Sequence, residues 1–340
     1  MSSPLTEALP FEVLRRTWQP VINAADLPPG KVTGYTLLNK NLVLARFTDG
    51  TLLAADNACP HKGFDLSRSS ICDNTLQCAY HGWRFGGDGA CVNIPSLLNP
   101  PANKLELSHL RNYGIQERYG IVWVLLESPE IAPLPHIPEL EGDWTYIVAP
   151  PMKFANGYRR EMENYIDMTH FAFAHQTTLG AAASPVVPPM EIEEYADGFF
   201  MDAPFPALET PHEMPGKLQQ AHRRRLRCYL PNFTIIRQTF EDGDERVLLH
   251  VPSPNTQFES TIFWSLAISP KFDGPEAKWQ VEFATRVLEE DRAMCENQIP
   301  KEVPINPEKG GWGVLVSPGD TLANTFQKTF RRWLLQHKPA

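Results

Sequence analysis

The 340-residue chain lacks the features that would place it on nucleic acid or across a membrane. No apolar run is long enough to span a bilayer. The stretch from Met1 to Pro20 has neither the basic start nor the apolar core of a secretion signal, so a cytoplasmic protein is expected. Positive charge is in deficit: 31 Lys and Arg stand against 40 Asp and Glu, a net charge of −9, which argues against general nucleic-acid binding. Internal repeats and low-complexity tracts are absent. Cysteine is sparse, six in all, and in a reducing compartment these predict metal or buried positions more than disulfides. No FAD, NAD or plant-type ferredoxin motif is evident, so a redox role would need electrons from another protein.

Two of the six cysteines carry the strongest signal. Cys59, Pro60, His61 and Cys78, Ala79, Tyr80, His81 form a Cys-x-His, sixteen-residue, Cys-x-x-His array. Two thiolates and two imidazoles on two short loops meet the needs of a Rieske 2Fe-2S centre, with Cys59 and Cys78 on one iron and His61 and His81 on the other. A mixed Cys/His set could also hold zinc. Zinc fits less well, because paired ligands of structural zinc sites are usually separated by two to four residues, and the first pair here has one between. Gly63 and Gly82 follow the two histidines closely and suit tight loops that turn backbone amides toward cluster sulfurs. Cys72, Cys91, Cys228 and Cys295 read as ordinary buried or half-buried residues.

A second signal is Asn164-x-x-Asp167-x-x-His170-x4-His175. Alone, two histidines five apart among apolar residues would be unremarkable. After the first array, the segment resembles position for position the pattern of the Rieske non-heme iron oxygenases. The resemblance implies that His170 and His175, with a later carboxylate, hold Fe(II), and that Asn164 and Asp167 serve catalysis beside them. Phe64 and Tyr80 stand where high-potential Rieske proteins carry an extra cysteine pair, so the cluster resembles the lower-potential type of ferredoxins and oxygenases. Five residues turn a straight α-helix through about 500°, leaving the two histidines roughly 140° apart. A π-bulge or a local helix end between Phe171 and His175 is therefore expected.

For the carboxylate, a helix is predicted around Arg286 to Gln298, with Val281, Phe283, Val287, Leu288 and Met294 as its apolar positions. Glu289, Glu290 and Glu296 read as solvated. Asp291 stands where the demethylase-like members of the family carry their ligand, with Glu290 as the alternative.

Strands are expected at Tyr35 to Phe47 and Thr51 to Ala58 around a hairpin at Thr48, Asp49, Gly50, and again at Gly120 to Leu126. Prolines from Pro129 to Pro151 mark a connector without helix or central strand. Further strands are read at Arg223 to Tyr229, Phe233 to Phe240, Arg246 to His250 and Thr261 to Ile268, with a last helix from about Asp320 to Gln336. The family resemblance makes this an α+β chain: an N-terminal antiparallel β Rieske domain, then a helix-grip catalytic domain whose antiparallel sheet is covered by helices. The expected division is 1–14 an N-terminal arm, 15–130 the Rieske domain, 131–152 the Pro-rich connector and 153–340 the catalytic mononuclear-iron domain. The basic run Arg223, Arg224, Arg225, Arg227 reads as a strand with a solvated face, or as a docking site for an acidic partner or a substrate carboxylate. Leu179 to Met190 and Phe199 to Pro215 are expected to line or cover a pocket.

Glu117 to Trp123 and Phe330 to Leu334, together with the metal motifs, resemble the branch of vanillate O-demethylase, caffeine N-demethylases, toluenesulfonate methyl-monooxygenase and dicamba monooxygenase. The resemblance implies a terminal oxygenase that uses O2 for O- or N-demethylation or methyl hydroxylation of a small aromatic or heteroaromatic compound. Arene cis-dihydroxylation, or hydroxylation of a larger alicyclic or natural-product scaffold, stays open, and a non-enzymatic Rieske electron carrier would leave His170 and His175 without a use. Implied partners are a separate flavin/ferredoxin-type reductase fed by NAD(P)H and neighbouring copies of the chain in a homotrimer, where Asp167 links a partner's Rieske histidine to His170.

Overall fold

The computed structural model describes residues 11–99, 101–175, 177–178, 186–204, 221–240, 243–270, 277–305 and 317–337. It divides into two compact units, Leu14–Pro133 and Met1–Val13 with Leu134–Ala340. A single helical turn, α1 (Phe11–Leu14), precedes the first strand.

The smaller unit is built from ten short strands: β1 (Gln19–Asn23), β2 (Val32–Leu37), β3 (Lys40–Arg46), β4 (Leu52–Asp56), β5 (Ser70–Cys72), β6 (Thr75–Gln77), β7 (Arg84–Phe85), β8 (Cys91–Asn93), β9 (Gly114–Arg118) and β10 (Ile121–Leu125), with one short helix, α2 (Ala102–Glu106). They form three antiparallel sheets, ordered β1-β10-β9, β2-β3-β4 and β5-β6-β7-β8. The hairpin at Thr48 to Gly50 is present, with Arg46 opposite Leu52. The single strand expected from Tyr35 to Phe47 is in fact two, because Leu38 (φ 50°) and Asn39 (φ 61°) make a two-residue turn that pairs Leu37 with Lys40. Paired left-handed residues match the right-handed twist of a hairpin, and Asp73–Asn74 and Tyr119–Gly120 repeat the device. The leucine hides that turn from sequence reading, since such positions usually carry Asn, Asp or Gly. Val43, Ala45, Phe47, Leu53, Leu66, Leu76 and Phe85 pack one core, and Cys59 and Cys78 are part of it.

Among its described residues, the larger unit holds one eight-stranded antiparallel sheet. Its strands are β11 (Thr145–Val148), β12 (Met152–Phe154), β13 (Glu191–Tyr195), β14 (Gly198–Pro204), β15 (Ala221–Tyr229), β16 (Phe233–Phe240), β17 (Glu245–Pro254) and β18 (Ser260–Ile268). The order is β11-β18-β17-β16-β15-β14-β13, with β12 also on β18. Helices α3 (Tyr158–Ile166), α4 (Phe171–Ala174), α5 (Ala277–Cys295) and α6 (Thr321–His337) complete it, with α3 against β17 and α6 against β14. This is the α+β, helix-covered antiparallel arrangement expected.

Three sequence readings change here. The Pro-rich stretch 131–152 contains β11, which fits between Pro138 and Pro150 at the sheet edge, where no proline interrupts it. Phe199–Pro204, the first part of a stretch expected to line or cover a pocket, forms regular strand β14, with Phe199 and Met201 buried; residues 205–215 lie outside the described residues, as do 179–185 of the other pocket stretch. The basic run lies on β15 with alternating fates. Arg223 and Arg225 share Asp202 at 2.7 and 3.3 Å and Arg227 pairs with Asp197 at 2.6 Å, so two neighbouring carboxylates partly offset the three outward charges. Arg224 points inward and is buried.

Candidate metal centres

The two Cys/His loops are built alike. In the first, the Gly63 amide donates to the Cys59 carbonyl at 2.7 Å and the Cys59 amide to the Phe64 carbonyl at 2.9 Å; in the second, Gly82 donates to Cys78 at 2.9 Å and Cys78 to Trp83 at 2.8 Å. Gly63 (φ 68°) and Gly82 (φ 69°) occupy the same left-handed conformation, which a side chain would strain. Both sulfurs are buried, and the His61 and His81 rings lie 4.5 Å apart between centroids. His61 is stacked on Trp83 at 4.7 Å. Phe64 and Tyr80 lean on one another at 5.8 Å where a disulfide would otherwise sit.

A 2Fe-2S cluster suits this cage. The Nδ1 atom of His61 is buried with no hydrogen-bond partner among the described residues, a costly state unless a metal takes the lone pair. Burial, with the neighbouring charges of His81 and Lys62, holds the His61 pKa below its ordinary value, favouring the neutral ligand form. Burial also pushes the Cys59 thiol up to about 11, so a thiolate here needs a metal. Of the other cysteines, Cys91, Cys228 and Cys295 are buried and Cys72 is half-buried, none in a disulfide.

The second centre begins where α3 stops. Asp167 leaves the helix with extended backbone (φ −69°, ψ 147°), and its carboxylate accepts the Thr169 amide at 3.0 Å and the His170 amide at 3.1 Å. Such capping is worth about 1 kcal/mol and competes with helix continuation. One acid thus ends α3 and starts the turn of α4. His170 lies just before that turn and His175 just after it, and α4 ends at Ala174, inside the window where a local end was expected. The additional break at Asp167 was not foreseen. Together the two breaks let histidines five apart converge.

The convergence is close. His170 Nε2 lies 3.1 Å from His175 Nε2, and Asp291 Oδ1 lies 3.3 Å from the first and 3.1 Å from the second. One donor atom from each residue falls within 4.8 Å of the others. Both Nδ1 atoms are already engaged: His170 Nδ1 with Asp167 at 2.8 Å, His175 Nδ1 with Glu290 at 2.8 Å. The Nε2 atoms are therefore left for a metal, and two imidazoles with one carboxylate on one side match a facial Fe(II) site with open positions. Burial opposes charge on both His170 and Asp291. On His170 it is outweighed by hydrogen bonds to Asp167 and Asp291, which lift the pKa to about 9; on Asp291 the two histidines outweigh it and hold the acid well below its usual range. Asn164 Nδ2 donates to Asp291 Oδ1 at 2.7 Å, so every residue proposed from sequence for this centre is brought together.

Glu290 is the correction. It is not a solvated residue: besides His175 it accepts hydrogen bonds from the hydroxyls of Thr177 and Thr178. Glu296 also has a partner, the Ala155 amide at 2.8 Å. Glu289 alone of the three is exposed, paired with Arg292. Sequence offered no signal for Glu290 beyond its place beside Asp291.

Among the described residues, no helix is long and apolar enough to cross a membrane. Two family models match the chain: the Rieske [2Fe-2S] domain over residues 17–113 and the vanillate O-demethylase oxygenase C-terminal domain over residues 154–336. The chain is 29% identical to the methylxanthine N3-demethylase of Pseudomonas putida over 306 residues, 85% of this chain and 83% of that protein. The solved structure of the Pseudomonas putida protein NdmB is similar with a TM-score of 0.79 at 25% identity, covering 97% of this chain and 98% of that one. A crystal structure of dicamba monooxygenase bound to dicamba shares the fold at a TM-score of 0.77 and 19% identity, covering 95% and 98%.

Proposed function

The chain belongs to the Rieske non-heme iron oxygenases with a catalytic half of the vanillate O-demethylase type, and from that premise we propose that it is the terminal oxygenase of a system that demethylates or hydroxylates methyl groups on small aromatic or heteroaromatic compounds. The observation that carries the reading is the meeting of His170 Nε2, His175 Nε2 and Asp291 Oδ1 in a chain that also cages Cys59, His61, Cys78 and His81. The demethylase named among its relatives supports the reaction class.

In the proposed assignment, a 2Fe-2S cluster on Cys59, His61, Cys78 and His81 supplies single electrons, and Fe(II) on His170, His175 and Asp291 supplies dioxygen activation. The protein's own work is orientation. Asp167 and Glu290 hold the Nδ1 protons of His170 and His175, which fixes each tautomer with Nε2 free. Asn164 steadies the Asp291 carboxylate. A methyl carbon that gains a hydroxyl on an ether or amine becomes a hemiacetal or hemiaminal, which collapses to formaldehyde and the demethylated product. The proposal includes a separate flavin/ferredoxin-type reductase using NAD(P)H, a cytoplasmic homotrimer in which Asp167 meets a Rieske histidine of the neighbouring subunit, and the domain division 15–130 and 153–340.

The test is metal content with product analysis. Purified protein should carry about three irons per chain, two with acid-labile sulfide. With a reductase and NADH, a panel of methoxy- and N-methyl-aromatics should yield formaldehyde. Two irons per chain and no substrate-dependent O2 uptake would leave an electron carrier; diol products without formaldehyde would mark a dihydroxylase.

A further inference from the structure

Strand alternation on β15 puts Arg224, Leu226 and Cys228 on the inward face of the sheet, and Arg224 is only 4% exposed. Two of its contacts lie on opposite sides of the gap between α3 and α4. One Nη donates to the carbonyl of Tyr165, the penultimate residue of α3, at 3.0 Å. Its guanidinium carbon lies 5.5 Å from the ring of Phe171, the first residue of α4. Burial opposes the charge of Arg224, and the carboxylates of Asp167 and Asp291 favour it. The cation is thus balanced by the two acids that meet His170.

Each contact answers a need that the break creates. In a continuous helix the Tyr165 carbonyl would accept the Thr169 amide, and the Ile166 carbonyl the His170 amide. Both amides go to the Asp167 carboxylate instead, at 3.0 and 3.1 Å. Asp167 therefore takes the displaced donors, while Arg224 supplies a donor to one of the displaced acceptors, where a cation also suits the negative end of α3. On the far side of the break, the Phe171 ring stands edge-on to the His170 ring at 4.7 Å and meets the His175 ring at 5.5 Å. Both histidines rest on this one ring. Arg224 braces it from the sheet side.

We propose that Arg224 is a positioning residue of the second centre: by spanning the Tyr165 carbonyl and the Phe171 ring it fixes both ends of the break, and so sets how His170 and His175 face the metal. The inference rests on the oxygenase reading and adds a residue from the sheet to a centre otherwise drawn from α3, α5 and the ends of α4. The planar guanidinium fits the role because it donates from its edge while its face lies over a ring. A lysine ammonium is a point charge that can serve one of these contacts well, at the expense of the other.

Metal binding tests this without turnover. The full chain, with its cluster intact and the second iron removed, is titrated anaerobically with Fe(II); the loaded protein is then treated with nitric oxide, whose EPR signal on ferrous iron reports ligand geometry. Arg224→Met should bind Fe(II) about tenfold or more weaker, and Arg224→Lys about threefold or more weaker, each with an altered splitting of the nitrosyl signal. Leu226→Ala removes packing on the same strand face and costs stability, yet should keep wild-type iron affinity and signal. Phe171→Leu should cost less in the Arg224→Lys background than alone, because each change removes what the other depends on. The lysine variant keeps the buried charge and decides the matter if the methionine variant folds poorly. An affinity loss below about threefold in Arg224→Lys, an equal loss in Leu226→Ala, an unaltered nitrosyl signal or full additivity with Phe171→Leu would overturn the proposal. If the arginine variants lose iron as expected but the wild type oxidises no substrate, the oxygenase reading falls and the role of Arg224 at the metal stands.

Discussion

His175 Nδ1 lies 2.8 Å from Glu290, while its Nε2 lies 3.1 Å from Asp291, the next residue on the same helix. Adjacent acids on α5 thus take opposite nitrogens of one ring. In the proposed centre Glu290 would hold the tautomer that leaves Nε2 unprotonated, and Asp291 would join Nε2 as a metal ligand. Replacing Glu290 by Gln should therefore weaken iron at the second centre about ten- to a hundredfold. Anaerobic iron titration would show it, with the cluster spectrum unchanged; wild-type affinity in that variant would remove Glu290 from the centre.

Asp291→Ala should be more severe. It removes a proposed ligand atom and the acceptor of the Asn164 hydrogen bond, so iron content should fall from about three per chain to two, with turnover lost and the cluster absorption intact. Asn164→Ala should retain iron and lose a smaller part of the activity, because Asn164 only steadies the carboxylate. Iron loss in Asn164→Ala as complete as in Asp291→Ala would reverse those roles.

The ligand-type residues were legible in the sequence because their spacing repeats a chemical requirement. The strands β16 and β18 were legible because their apolar runs are bounded by turns. What was not legible came from side chains acting on backbone or across long separations. Asp167 breaks the helix by capping the next turn, and nothing in its neighbours marks that. Leu38 takes a left-handed turn position that leucine rarely fills. Glu290 reaches His175 across 115 residues, a contact only the fold creates. Arg224 looked like one charge among four, yet strand alternation sends it inward while Arg223, Arg225 and Arg227 face out.

Stability should depend on pH through Glu302, far in sequence from the metals but tied to α3. The buried Arg159 faces Glu302 at 3.2 Å, and burial, partly offset by Arg159, pushes the Glu302 carboxyl up to about 7. The folded chain therefore prefers the protonated acid: the contribution to stability is complete below the unfolded value of 4.5 and is lost as pH rises through about 7. The thermal midpoint should fall by a few degrees between about pH 5 and pH 8. Glu302→Gln should flatten that slope, and the same slope in both proteins would place the titration elsewhere.

The cluster potential gives a separate check on the first centre. Histidine ligation is what lifts such clusters above plant-type values, so His81→Cys should retain a cluster with a midpoint about 100 mV or more lower. Protein-film voltammetry reads this directly. An unchanged potential would count against His81 as a ligand.

Asp167→Asn tests the proposed path between subunits. Asp167 accepts the Thr169 amide and hydroxyl, the His170 amide and the His170 Nδ1 proton, and asparagine keeps the shape and part of this bonding. It removes the charge that orients and couples His170, so both centres should still load while electron transfer between them collapses. With the cluster pre-reduced and substrate and O2 supplied in a single turnover, the variant should fail to reoxidise its cluster on the wild-type timescale. Mixed oligomers then decide the geometry. A subunit lacking Cys59 and Cys78 but carrying intact Asp167, His170, His175 and Asp291 should regain turnover when combined with a subunit that carries Asp167→Asn and Asp291→Ala. Rescue requires that one subunit's cluster serve its neighbour's iron. Verified mixed trimers without rescue would exclude the route between subunits and leave transfer within one chain.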